Sequence, residues 1–183
     1  MLSSSPPISG KNLVLILFYS CFFERRQPIV EFVDCNIEFI EGGMEFNYEV
    51  LGDDGFQKLA QSLLVKEFPN VQCFPVGEQD GGRDALQWIW LDEDQEFIVY
   101  QVKFNKNYHS KASRSVIVDT IKTELSKIKK LSDLGAIRYV LITNVAGTGA
   151  LGVGAIDKAN KEFSQALGMP AQVWWRDDID ARI

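Results

Sequence analysis

Apolar residues recur at Phe56, Leu59, Ala60, Leu63 and Leu64, a spacing that puts them on one face of a helix. Asp53 or Asp54 is placed to cap that helix, and Pro69-Asn70 to end it. Residues 71–76 read as a short strand, and the glycines and acids of 77–82 as a turn. Two longer strands follow, 83–91 and 96–104, joined by a polar hairpin loop over 92–95. Polar 105–115 reads as loop. Residues 116–131 read as a second helix with Val118, Ile121, Leu125 and Ile128 inward. The nearly continuous apolar run 138–143 predicts a strand buried on both faces. A glycine-rich loop (147–154) leads to a third helix over 155–167, stopped by Gly168. A last strand covers 171–175, after which Asp177-Asp178 can cap a short helix. Helix, three strands, helix, strand, helix, strand implies an α/β fold with a mixed central sheet flanked by helices on both sides.

Upstream of this regular pattern the chain reads differently. Residues 13–23 are almost wholly apolar but too short for a membrane span, which takes about 20 residues. No small-x-small cleavage pattern follows them, so a signal peptide is disfavoured. Residues 1–43 are therefore expected to be an N-terminal extension, or the product of an upstream start. The working domain is expected over 44–183. The abrupt end at Ile183 suggests a domain of a longer protein. With 183 residues and 46% apolar content, the chain suffices for one well-buried core.

A net charge of -6 excludes a protein that coats nucleic acid through charge alone. The distribution refines that picture. Eight Lys/Arg face two acids between Lys103 and Lys130, a local charge of +6 on an acidic body. Such a stripe suits either phosphate contact or a solvated helix face. Cys21, Cys35 and Cys73 are odd in number and widely spaced, and His109 stands alone. Neither zinc nor a disulfide framework is expected, which points to a reducing cytoplasm.

The candidate chemistry lies on the hairpin. Side chains alternate along a strand, so Gln101 and Lys103 share a face. A loop over 92–95 pairs Leu91 with Glu96 and sets Asp84 opposite Lys103, so the three converge; a slip of one residue would separate them. Phosphodiester hydrolysis needs a cation against the developing charge and an activated water. Magnesium takes oxygen ligands and keeps several waters. Asp84 is the natural first ligand, and Gln101 and the backbone of Val102 can add oxygens. Lys103 can serve the water or the transition state. Asp80 or Glu78 could supply a second carboxylate, while Gly81 and Gly82 allow close backbone approach to DNA.

Asp80-Gly81-Gly82-Arg83-Asp84 followed by Gln101-Val102-Lys103 resembles the PD-(D/E)xK nucleases, and more narrowly their Mrr-like branch, in which Q-x-K replaces the usual acid. The resemblance covers roughly 44–183. It implies a restriction-endonuclease-like core and a Mg2+-dependent endodeoxyribonuclease (Mn2+ substituting), with Asp84, Gln101 and Lys103 catalytic and Asp84, Gln101 and Val102 at the metal. Gly81, Gly82, Arg83, Lys106, Lys111 and Arg114 are the expected nucleic-acid contacts. The tail Val173-Trp174-Trp175-Arg176-Asp177-Asp178 resembles Mrr-like domains fused to STAND-type ATPases of antiphage defence. That implies an effector domain with C-terminal ATPase or sensor partners, oligomerising on activation, and no membrane. One departure is that Gln57 stands where the family often carries a Glu on the first helix. A catalytically silent nucleic-acid-binding or assembly module on the same fold is the alternative.

Other signals have plainer readings. Trp88, Trp90, Trp174 and Trp175 suit packing more than base stacking. Gly147-Thr148-Gly149-Ala150-Leu151-Gly152 matches G-x-G-x-x-G, but too little chain follows for a full nucleotide-binding sheet, and no Gly-Lys-Ser/Thr makes it a P-loop.

Overall fold

The computed structural model describes residues 37–40, 43–78, 80–91, 94–108 and 111–183. The apolar run 13–23, Cys21, Cys35 and His109 lie outside them. The described compact unit begins at Ile37. Strands β1 (Ile37–Ile40) and β2 (Gly43–Phe46) pair as an antiparallel hairpin, and a 3-10 turn (Tyr48–Leu51) leads into α1 (Gly52–Glu67). Then follow β3 (Val71–Cys73), β4 (Ala85–Leu91), β5 (Asp94–Lys103), α2 (Lys111–Asp133), β6 (Ala136–Thr143), α3 (Ala155–Leu167), β7 (Ala171–Trp174) and α4 (Arg176–Asp180).

Five strands form one mixed sheet in the order β3-β4-β5-β6-β7. The β3/β4 and β4/β5 pairs are antiparallel; β5/β6 and β6/β7 are parallel. Parallel neighbours need a crossover, which α2 and α3 provide. Strand alternation divides the core in two. Leu86, Phe97, Val99, Tyr139, Leu141 and Val173 pack with Ile117, Ile128 and Leu131 of α2 and Phe163 of α3. Tyr100, Val140, Ile142 and Trp174 face the other way, onto Phe56, Ala60 and Leu64 of α1 and Ile179 of α4. Among the described residues, no helix is long and apolar enough to cross a membrane.

Several expected boundaries move, each for a physical reason. Leu91 pairs with Asp94 rather than Glu96, so strand pairing reaches two residues further into the expected loop. Polarity misleads there, because backbone pairing continues through exposed Gln95. Helix α2 begins at Lys111, inside the expected loop. Its polar first turn is rich in Lys, Ala and Arg, which favour helix as well as solvent. Asp53 and Asp54 do not cap α1; they sit in its first turn, where a negative charge meets the positive end of the helix dipole. Asp178 closes the start of α4 from inside, its Oδ2 accepting from Trp175 N at 3.0 Å. Between α2 and β6, Gly135 has φ +102°, and a Cβ there would sit 2.6 Å from the Gln95 carbonyl, so only glycine fits the return onto β5.

Candidate functional site

Gln101 and Lys103 end β5 on the α2 side of the sheet, and Lys103 is in register with Thr143 at the end of β6. Open α/β sheets take their ligands beyond the carboxyl ends of such parallel strands. Ala85 pairs with Tyr100, which sets Asp84 level with Gln101 rather than Lys103. The expected register is thus displaced by two residues. Two is the side-chain period of a strand, so Asp84 stays on the shared face.

Asp84 is 8% exposed and firmly held. Its Oδ2 accepts from Val102 N at 2.7 Å, its own N–H donates to Tyr100 O at 2.9 Å, and its carbonyl accepts from Phe74 N at 3.0 Å and Gln61 Nε2 at 2.9 Å. Burial pushes its pKa from the ordinary 3.8 to about 6. The Val102 hydrogen bond and Lys103 work against that rise, while the charges of Asp80 and Glu124 add to it.

Glu124 of α2 brings a second carboxylate to the cluster. Its Oε1 lies 3.4 Å from Lys103 Nζ and its Oε2 2.8 Å from Lys127 Nζ. Burial works to raise its pKa, but the hydrogen bonds and charges of the two lysines outweigh it and hold the carboxyl below its ordinary value. The buried Gln101 accepts the Tyr139 hydroxyl hydrogen at Oε1. Burial, together with the charges of Glu124 and Asp84, raises the Tyr139 pKa, so that hydroxyl stays a donor.

The loop before β4 covers this cluster. Gly82 is buried with φ +88°, and a Cβ on it would lie 3.5 Å from Lys127 Cδ, 3.6 Å from Gln101 Nε2 and 3.7 Å from Glu124 Oε2. Asp80 Oδ1 accepts from Gly82 N at 2.8 Å and fixes the turn. Gly81 is exposed. Arg83 does not project freely toward a ligand: Nε donates to Asp80 O at 2.7 Å, and the guanidinium lies 4.7 Å from the Phe74 ring centroid. On the far side, Asn144 clamps the chain after β5, with Oδ1 accepting from Asn105 N at 2.8 Å and Nδ2 donating to Asn105 O at 2.9 Å.

Of the remaining expected residues, Lys106 is exposed, and Lys111 and Arg114 fall in the first turn of α2 rather than in a loop. Glu78 is exposed, so Asp80 is the loop acid that acts on Asp84. Gln57 is half-buried on α1; Gln61, one turn later, reaches the backbone of Asp84. The glycine loop closes on itself, Thr148 capping α3 through Oγ1 to Ala155 N at 2.7 Å and through its carbonyl to Ile156 N at 3.4 Å. A phosphate at that helix start would have to displace these bonds.

Sequence reasoning counted Glu124 only as an acid within the basic stripe. A signal was present: Glu124 is three residues after Ile121 and four before Ile128, both on the inward stripe expected of the helix. An acid at an inward position asks for a partner. Compared with known proteins, the chain matches no family model, no curated protein and no solved structure.

Proposed function

We propose that this chain is a divalent-metal-dependent nuclease of restriction-endonuclease-like fold that hydrolyses DNA phosphodiester bonds. The observation that carries this reading is the meeting of Asp84, Glu124 and Lys103 beside Gln101 at the carboxyl ends of β5 and β6.

The donor set suits magnesium in kind. Asp84, Glu124 and the Gln101 amide offer hard oxygens, and one or two carboxylates suffice for an ion that keeps most of its waters. Among the described residues there is no cluster of three or more His, Cys, Asp or Glu placed to hold a metal, so the site relies on this small set. Asp84 and Glu124 would hold the ion, with Gln101 and the Val102 backbone as supplementary donors. When bound, Mg2+ (or Mn2+) neutralises charge on the phosphate and acidifies a water. The protein supplies the rest. Val102 N–H orients Asp84, Tyr139 orients Gln101, and the Lys103 ammonium donates hydrogen bonds to the attacking water or the developing phosphorane charge. The Lys103 side chain is 37% exposed, so a phosphate can reach it from solvent. Exposed Lys106, Lys129 and Lys130 give the backbone of the nucleic acid a basic track.

The Trp-Trp-Arg-Asp-Asp tail supports a role as the effector domain of a larger cytoplasmic antiphage protein, with fused ATPase or sensor domains and oligomerisation on activation. The test is magnesium-dependent plasmid cleavage. Asp84→Ala and Lys103→Ala should each lower it by about a thousandfold while the fold is kept, as loss of a charge-stabilising group does. Unchanged cleavage in either variant defeats the assignment.

One observation favours a second reading, the silent nucleic-acid-binding or assembly module. Glu124 is already bridged by two lysines, and Gln101 Oε1 is taken by Tyr139. Calorimetry with Mn2+ and Mg2+ separates the two, since the silent module binds neither.

A further inference from the structure

The opposite face and opposite end of the sheet carry a feature that the nuclease reading does not use. Strand β6 is central and almost wholly apolar, yet its third residue is Arg138, exposed on the α1 side. Among the described residues its guanidinium has no hydrogen bond or ion pair. It opens onto a cavity of about 310 Å³ between the end of α1 and the end of the chain.

The cavity has the make-up of a small-ligand site, apolar walls with a few polar groups. Ile98 and Val140 form an aliphatic floor, and half-buried Phe68 stands beside Tyr100 and Trp174, with ring centroids 6.1 and 6.5 Å away. The second arginine is already committed: Arg182 Nε lies 3.0 Å from Glu67 Oε2, and its guanidinium sits 4.0 Å from the Trp174 ring centroid. Tyr100 donates its hydroxyl to Gln87 Oε1 at 2.8 Å, which leaves the phenolic oxygen as an acceptor at the wall. Gln172 adds an exposed amide at the mouth.

We propose that this cavity binds a nucleoside monophosphate-sized ligand, its anionic group on Arg138 and its planar ring against Phe68, with Gln172 at the rim. The planar guanidinium of Arg138 can donate two parallel N–H bonds to two oxygens of a phosphate. A half-exposed aromatic ring accepts a base of any identity.

The test is calorimetric titration of the full chain with a nucleoside 5′-monophosphate, the matching nucleoside and inorganic phosphate. The monophosphate is expected to bind, and both fragments to bind at least about tenfold more weakly. Arg138→Gln, at an exposed position that leaves the core intact, should weaken the monophosphate by about tenfold or more. Gln172→Leu should weaken it less, and Asp84→Ala should leave it unchanged. Three outcomes overturn the proposal: no binding of the monophosphate at millimolar concentration, equal binding of inorganic phosphate, or loss in Asp84→Ala but not in Arg138→Gln. The last would locate the nucleotide at the carboxylate cluster instead.

Discussion

Arg176 and Asp84 are both buried charges, yet their surroundings differ in kind. Arg176 is 4% exposed, and its charge is answered on every side. It donates to Phe46 O at 2.6 Å, lies 3.8 Å from Asp180 Oδ2, and sits with its guanidinium 4.6 Å from the Tyr108 ring centroid and 5.5 Å from that of Tyr48. Tyr48 in turn donates its hydroxyl to Asp180. Asp84 is held only at one carboxylate oxygen, in the company of two other acids, and its proton affinity is raised. Glu124 draws two lysines toward itself, one of them the candidate catalytic Lys103. The first cluster ties β2, α4 and the chain after β5 together; the second keeps charges in competition. A buried charge that is fully answered reads as architecture, and one that is left contested reads as chemistry.

Removing the architectural charge should cost the most stability. Arg176→Ala takes the cation from beside Asp180 and leaves a void between two tyrosines, and is expected to lower unfolding stability in urea by about 3–5 kcal/mol. A loss below about 1 kcal/mol would show that Arg176 is no more structural than a surface ion pair. Glu124→Gln should behave oppositely, leaving the urea midpoint nearly unchanged. It should weaken Mn2+ binding by about 10–100-fold in calorimetry, and unaltered binding would remove Glu124 from the metal set.

The smallest effect follows from pH. A carboxyl whose folded pKa lies above its unfolded value takes up a proton on folding. The stability Asp84 confers is therefore full below 3.8 and is lost as pH rises through about 6. Asp84→Asn, which keeps an acceptor for Val102 N–H, should be more stable than the parent at pH 8 by about 2 kcal/mol and no more stable at pH 3. Chemical denaturation at the two pH values checks this, and a gain of equal size at both would show that desolvation of the charge is not its cause.

Part of the fold is legible in the sequence. The periodicities of α1, α3 and β6 are strong because each presents an apolar stripe or run to a core on a known side, and α3 occupies the residues its pattern predicts. Asp84, Gln101 and Lys103 stood out by type and spacing. The hairpin register did not, because the acids and Gln95 at its tip carry no apolar pattern to fix pairing. The start of α2 was hidden for the same reason, since polar helix formers look like loop.

The one-dimensional pattern determined the order and type of the elements from α1 to β7, and that an acid, an amide and an amine fall at hairpin positions of matching parity. Local interactions and alternation suffice for that, because they act over a few residues. Tertiary structure alone decided that Glu124, from a helix beyond the hairpin, joins them, that Tyr139 orients Gln101, and that Arg138 faces a cavity instead of an ion pair. Those are contacts between segments far apart in the chain, set by how helices pack across a twisted sheet.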